Sequence, residues 1–235
     1  MTTKDIRFRS PLRVFEKATD GGLGQGNLGV VLSRAGVGKT AFLVGVAVDA
    51  LLQGRKVMHI STEEPVEKLR AFYDEVFNLM AENLHLENRL QLHLELERNR
   101  QILVYNRKTF TLEKLEETAQ FLKDIAHFTP DVVIMDGTPR FEHSERWEIE
   151  GVKKLAGGWN AEVWTSAQVH REGQEVDARG VPADVARYDD LVDVITLLEP
   201  KHTHVHVRIL KDHDKPEAPD LNMELDPKTL LLRWQ

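Results

Sequence analysis

The sequence contains no cysteine, which excludes disulfide bonds and metal sites built from thiolates. No apolar run is long enough to cross a membrane, and the first ten residues, MTTKDIRFRS, lack the apolar centre of a signal peptide. Acidic residues also outnumber basic ones. The resulting formal net charge of −7 does not suit a broadly basic nucleic-acid surface. These absences predict a cytoplasmic protein without a membrane segment.

The composition that remains is that of an ordinary globular chain, with 41% hydrophobic and 29% charged residues. A chain of 235 residues is long enough to bury one sizeable core, so we expect a single folded domain. We place this domain at residues 28–235. Residues 1–27 are predicted to form an N-terminal arm and a glycine-rich lead-in loop that ends in GGLGQGN.

Segments with strand and helix patterns alternate along most of the chain. Strands are predicted at 28–32, 55–61, 101–105, 131–135 and 161–166, helices at 40–52, 65–80, 111–128 and 144–157, and four further short strands between 191 and 234. This order predicts an α/β fold with a mostly parallel central sheet, flanking helices and a C-terminal antiparallel extension. Residues 81–100 mix both patterns, and we favour a helix there. Residues 174–190 are polar and predict a long loop.

The segment 28–40, LGVVLSRAGVGKT, is typical of a phosphate-binding loop between a strand and a helix. It follows the spacing GxxxxGK[ST] except that Ser33 stands at the first glycine. We expect the two glycines to provide unusual dihedral angles, Lys39 to reach the β- and γ-phosphates, and the Thr40 hydroxyl to bind Mg²⁺. The predicted phosphate-binding residues are Ser33, Arg34, Ala35, Gly36, Val37, Gly38, Lys39 and Thr40.

Three acidic residues follow predicted strands. Asp136 ends the apolar run DVVIMD, where a carboxylate can support Mg²⁺ or simply cap a turn. Glu63 and Glu64 end the strand at 55–61, which we expect to lie beside the phosphate-loop strand. A carboxylate there can activate the attacking water, although acids also favour the start of a helix. We favour Glu63 as the base and Glu64 as its neighbour.

Three polar residues after later strands are further candidates for nucleotide binding. Gln168 follows the strand AEVWTSA and can sense the γ-phosphate, or it can cap the strand end. Lys211 and His213 follow a strand near the C-terminus, and in a ring they would reach the γ-phosphate of a neighbouring subunit. The alternative for both is a solvated turn. The alternating histidines within 202–206 are more typical of the wet face of an antiparallel strand than of a metal site.

In their order and spacing, these motifs resemble the RecA superfamily of ATPases, closest to single-domain KaiC-like proteins and related to the DnaB-type helicase core. GGLGQGNL resembles the family's lead-in, SRAGVGKT its Walker A motif, HISTEEP its acidic pair, PDVVIMD its Walker B motif, VWTSAQ its sensor strand and ILKDH its finger region. The resemblance covers about residues 15–215. The sequence departs from the family at two positions. Ser33 replaces the first glycine of the Walker A motif, and His213 stands where the finger region usually has Arg or Lys.

The resemblance implies a RecA-like P-loop fold and an ATPase that uses ATP and Mg²⁺. It also implies a homo-oligomer, a ring or filament with ATP at the subunit interfaces. No base-reading motif is visible, so the residues alone leave ATP and GTP open.

Two other functions stay open. One is a DNA-acting recombinase-like or helicase-like motor, although the acids around 174–190 outnumber the arginines and offer few phosphate contacts. The other is a nucleotide-occupancy switch that regulates a protein partner, which would not need the acidic pair at 63–64.

Overall fold

The computed structural model describes residues 12–169, 175–226 and 231–234. Its strands are β1 (Leu28–Ser33), β2 (Val57–Ser61), β3 (Arg100–Val104), β4 (Val132–Asp136), β5 (Glu162–Gln168), β6 (Val194–Pro200), β7 (Val205–Asp212), β8 (Met223–Leu225) and β9 (Leu232–Trp234). Its helices are α1 (Leu12–Ala18), α2 (Lys39–Leu52), α3 (Val66–Asn83), α4 (Arg89–Asn99), α5 (Leu112–Ala126), α6 (Arg146–Trp159) and the short α7 (Ala183–Ala186).

The described strands form one nine-stranded sheet in the order β3-β2-β4-β5-β1-β6-β7-β8-β9. The pairs from β3 to β6 are parallel, and the pairs from β6 to β9 are antiparallel. The structure therefore confirms the predicted α/β class, the mostly parallel sheet and the antiparallel extension at the C-terminal side. None of the described helices has both the length and the apolar character needed to cross a membrane.

Helices cover both faces of the parallel part, and successive strand residues point into two separate hydrophobic clusters. Val31 and Ile134 belong to the cluster beneath α1 to α4. Val30 and Met135 belong to the cluster beneath α5 and α6. Because β1, β2 and β4 are buried along their whole length, they carry no polar alternation, as is usual for a parallel sheet covered on both sides.

The first described residues pack on the core. The ring of Phe15 in α1 lies 5.8 Å from that of Trp164 in β5, and Leu12 and Leu23 are buried in the same cluster. The described part of the predicted N-terminal arm therefore contributes to the hydrophobic core. Residues 1–11 lie outside the described part of the chain.

Two uncertain segments have a defined structure. The helical prediction for 81–100 is confirmed for most of the segment, since α3 continues to Asn83 and α4 covers Arg89–Asn99, whereas Arg100 begins β3. The loop prediction for 174–190 is partly wrong. Residues 175–190 include α7, and Val181, Val185 and Tyr188 are buried against the second cluster despite the polar composition around them. Residues 170–174 fall outside the described residues.

Candidate functional site

A cleft of about 560 Å³ lies where the parallel strands end. The loops that follow β1, β2, β3, β4 and β5 all contribute to it, because the carboxyl ends of parallel strands share one edge of a sheet. The expectation that β2 lies beside β1 was wrong. β1 is flanked by β5 and β6, and both β4 and β5 separate it from β2. The site therefore spans five neighbouring strands, from β3 to β1.

The loop between β1 and α2 has the dihedral angles that the sequence predicted. Gly36 and Gly38 have φ values of 76° and 115°, a region that side chains other than glycine rarely adopt. Gly38 precedes the first residue of α2, and its carbonyl accepts a hydrogen bond of 2.9 Å from the amide of Phe42. The N-terminus of α2 adds partial positive charge at this position, which favours an anion.

Lys39 folds back over this loop. Its ammonium nitrogen lies 3.4 Å from both oxygens of Ser33 and 3.5 Å from the carbonyl oxygen of Arg34. Burial lowers the pKa of Lys39, while the carboxylates of Asp136 and Glu63 act in the opposite direction. The structure thus holds a partly desolvated cation at the N-terminus of α2, a favourable arrangement for phosphate.

Ser33, the departure from the loop pattern, fits its position. It is the last residue of β1 and is fully buried. Its hydroxyl donates a 2.8 Å hydrogen bond to the carbonyl of Arg34, so the polar group is satisfied inside the loop.

Thr40 and Asp136 lie 96 positions apart in the chain and are in direct contact. The Thr40 hydroxyl donates a 2.7 Å hydrogen bond to Oδ2 of Asp136, and the hydroxyl of Ser166 donates one of 3.1 Å to Oδ1. Asp136 is buried, with only 2% of its surface exposed. A hydroxyl and a carboxylate are hard oxygen ligands, the type that Mg²⁺ prefers, so these two residues fit the predicted metal role.

The structure distinguishes the two glutamates after β2. The amides of Glu63 and Glu64 both donate to the hydroxyl of Ser61, at 3.2 and 2.9 Å. The Glu63 side chain passes over Gly137, at the start of the loop after β4, and its charge affects Lys39. Glu64 instead forms a 2.7 Å ion pair with Lys68, one turn further along the chain. Both residues line the cleft, and Glu63 is the better placed to act there.

Gln168 lies where the sequence placed it. It ends β5, pairs in register with Ser33 on β1, and is exposed in the cleft. The amide of Val169 donates a 2.9 Å hydrogen bond to the carbonyl of Ser33. A backbone hydrogen bond therefore joins the end of β5 to the start of the loop after β1.

Lys211 and His213 are not in the cleft. Because β7 is antiparallel to β6, Asp212 pairs with Val194 at the start of β6, which is the opposite edge of the sheet. The Lys211 ammonium group contacts the backbone carbonyl of Asp189 and lies 3.4 Å from its carboxylate. The ring nitrogens of His213 lie 2.7 Å from Asp212 and 3.0 Å from the carbonyl oxygen of Leu23. Neither residue reaches the phosphate loop of its own chain.

Sequence reasoning missed three cations that line the cleft. They are Lys68 in α3, Arg107 after β3 and Arg140 after β4. Arg107 Nη2 lies 2.5 Å from Oε1 of Glu63, and Arg140 contacts Glu142. The available signal was positional, since Arg107 and Arg140 both follow strands that end at the same edge as β1.

The described arginines of the segment 175–190, which a DNA-acting motor would need, are engaged within the chain. Arg179 bonds with the carboxylates of Asp177 and Asp189, both at 2.7 Å. Arg187 donates to the backbone carbonyls of Phe141 and Ser144. These contacts leave few cations for a nucleic-acid backbone among the described residues of this segment.

No family model matches this sequence, and a comparison with curated proteins gives no significant match. The function is therefore inferred from the residues of the site.

Proposed function

We propose that the chain is a Mg²⁺-dependent ATPase of the RecA-like P-loop class. The observation that carries this proposal is the contact between Thr40 and Asp136 at the head of the phosphate loop. A bare glycine-rich turn would need neither a hydroxyl at its end nor a buried carboxylate from another strand. The positive φ values of the glycines and the position of Lys39 support the same conclusion.

In this proposal the loop amides, the α2 N-terminus and Lys39 bind the β- and γ-phosphates. Thr40 and Asp136 would hold Mg²⁺, which would neutralise charge on the phosphate oxygens. Glu63 accepts a proton from the water that attacks the γ-phosphorus, and the bond to the β-γ bridging oxygen breaks to give ADP and phosphate. Gln168 lies where it can respond to the loss of the γ-phosphate.

The choice of ATP over GTP comes from the resemblance to the RecA superfamily, which also implies a homo-oligomer. The positions of Lys211 and His213 bear on this second point. Since both lie at the edge of the sheet opposite the loop, any contact with a γ-phosphate would be made on a second copy of the chain.

Two alternatives receive less support. A DNA-acting motor needs free cations near 175–190, where the described arginines are already paired. A nucleotide-occupancy switch needs no base, yet Glu63 lies in the cleft beside the loop.

The proposal is tested by the binding of ATP with and without Mg²⁺. We expect Thr40→Ala to lose the Mg²⁺-dependent part of the affinity and Lys39→Met to lose binding altogether. Thr118→Ala is the matched control, because this hydroxyl bonds to Lys114 in α5, outside the cleft. ATP binding that is absent in the wild type, or equal in Thr40→Ala with and without Mg²⁺, would overturn the proposal.

A further inference from the structure

A second group of potential metal ligands lies outside the cleft, where α3 meets α4. Asp74 comes from α3, and His93 and Glu97 lie one turn apart on the same side of α4. One ligand atom from each residue can be chosen so that all three lie within 4.8 Å of one another. We propose that Asp74, His93 and Glu97 form a binding site for a first-row divalent metal ion, with Zn²⁺ as the best fit. This inference is independent of the proposed ATPase function.

The three side chains need to move only a short distance to bind an ion. Nε2 of His93 already lies 2.9 Å from Oδ1 of Asp74. Ligand atoms around a tetrahedral zinc ion with bonds near 2.1 Å are about 3.4 Å apart, so binding the ion requires side-chain movements of about 1 Å. All three side chains are partly exposed, with 47% of Asp74, 34% of His93 and 28% of Glu97 accessible, which leaves a path for the ion.

Neighbouring residues hold the ligands in place. The ring of Phe77, itself buried, lies 5.3 Å from the ring of His93 and limits its rotation. The guanidinium of Arg100 contacts Oε1 of Glu97 and lies 4.5 Å from the centre of the Tyr73 ring. Because Arg100 is buried, it fixes the carboxylate and leaves Oε2 on the outer side. Such outer contacts orient metal ligands and raise affinity.

The competing contact is weak. Oε2 of Glu97 now accepts a hydrogen bond of 3.1 Å from Arg70, whose side chain is 60% exposed. Exposed ion pairs of this kind contribute little free energy. A divalent ion would replace Arg70 and the hydrogen bond between His93 and Asp74, while the buried contact from Arg100 stays in place.

The ligand set selects the class of ion. One imidazole nitrogen and two carboxylate oxygens suit Zn²⁺ and its first-row neighbours better than Mg²⁺, which prefers oxygen ligands alone. The chemistry differs from that of Thr40 and Asp136, so the two sites are separable by experiment. Three protein ligands leave at least one position for water. The bound ion would join α4 to α3.

The test is the titration of the nucleotide-free full chain with Zn²⁺ against a chromophoric chelator, together with its melting temperature. We expect one Zn²⁺ per wild-type chain and a rise in melting temperature on binding. His93→Gln and Asp74→Asn, which keep the size and polarity of the side chains, should each weaken binding at least tenfold or so and abolish the rise.

Two controls locate the ion. His204→Gln removes another histidine–carboxylate pair, since His204 lies 3.1 Å from Glu224. Thr40→Ala removes a ligand of the proposed nucleotide site. Both should bind Zn²⁺ as the wild type does. The inference is overturned if the wild type shows no saturable binding, if His93→Gln and Asp74→Asn bind normally, or if binding is lost in either control.

Discussion

Arg107 Nη2 lies 2.5 Å from Oε1 of Glu63, which links the loop after β3 to the residue we assign as the base. The contact is exposed, with 48% and 50% of the two side chains accessible, so it contributes little to stability. Both residues line the cleft beside the phosphate loop. From this position we expect Arg107 to orient the Glu63 carboxylate and to add positive charge where phosphates would bind.

Arg107→Ala should therefore reduce kcat/KM for ATP by about tenfold, because an oriented base and a nearby cation are both lost. Its free energy of unfolding should stay within about 0.5 kcal/mol of the wild type. Steady-state kinetics and denaturant unfolding measure the two quantities. Arg146→Ala is the control, since it removes a similar exposed pair, with Asp190, outside the cleft. Equal kinetics in both variants would show that Arg107 has no role.

Glu63→Gln should lower kcat by about a hundredfold or more while ATP still binds, because the amide cannot take the proton of water. Glu64→Gln should have a much smaller effect, since Glu63 is the glutamate whose charge acts on Lys39 beside the phosphate loop. Single-turnover hydrolysis and equilibrium binding separate chemistry from affinity. If Glu64→Gln is the more damaging variant, our assignment of the base is wrong.

Gly137→Ala should disturb catalysis through Glu63. A methyl group at Gly137 would overlap with Cγ of Glu63 and with Oγ1 of Thr62, so the glutamate side chain would have to move. Gly54→Ala is a matched control with the same kind of backbone, since the φ values are 81° and 79° and nothing lies within 4 Å of Gly54. The positive φ should cost about 1 to 2 kcal/mol of stability in each variant, and the overlap at Gly137 adds to this cost, but only Gly137→Ala should reduce kcat. An equal kcat in the two variants would contradict the placement of Glu63.

Lys39→Met should stabilise the nucleotide-free protein at neutral pH although it abolishes ATP binding. Burial lowers the pKa of Lys39 below its ordinary value of 10.5, so the folded state binds the proton less tightly than the unfolded state does. The charged Lys39 therefore lowers the free energy of unfolding. This loss is fully present below the pKa of the folded state and disappears as the pH rises through 10.5, the value for the unfolded state. The variant should therefore melt above the wild type near pH 7, and the difference should narrow towards pH 10 or so. A lower melting temperature of Lys39→Met at pH 7 would contradict this.

His59 predicts a loss of stability in acid. Burial, assisted by the charge of Arg100, lowers its pKa from 6.5 to about 3. Between these values the unfolded state binds a proton that the folded state does not, so stability falls as the pH drops below 6.5. At pH 5 the wild type should have lost about 2 kcal/mol through this residue. His59→Gln should show a correspondingly smaller difference between pH 7.5 and 5, whereas Thr118→Ala, which removes no titratable group, should behave as the wild type does.

Much of the fold and of the site could be predicted because the signals are local. The loop from Ser33 to Thr40 is contiguous, and Asp136 and Gln168 each end a recognisable strand. The order of the strands is not a local property, which is why β2 was expected beside β1. The sequence of helix α4 mixes strand and helix patterns. In the structure the helix packs against α2 and β3.

The remaining differences have physical causes. The contact between Arg107 and Glu63 joins residues 44 positions apart, and no sequence pattern connects them. The burial of Val181, Val185 and Tyr188 was not predicted, because the composition of 175–190 is polar. Their burial holds that segment against the core. Lys211 was assigned from its place after a strand, but β7 is antiparallel and carries it to the other edge of the sheet.

The decisive measurement is the steady-state release of phosphate from ATP, with and without Mg²⁺ and single-stranded DNA, by protein whose mass in solution is known. We predict Mg²⁺-dependent turnover by an oligomer, insensitive to DNA and absent in Lys39→Met. Stimulation by DNA would support a motor instead, and binding without turnover would support a nucleotide-occupancy switch. A wild-type chain that neither binds nor hydrolyses ATP would contradict the assignment of the loop from Ser33 to Thr40 as a nucleotide site.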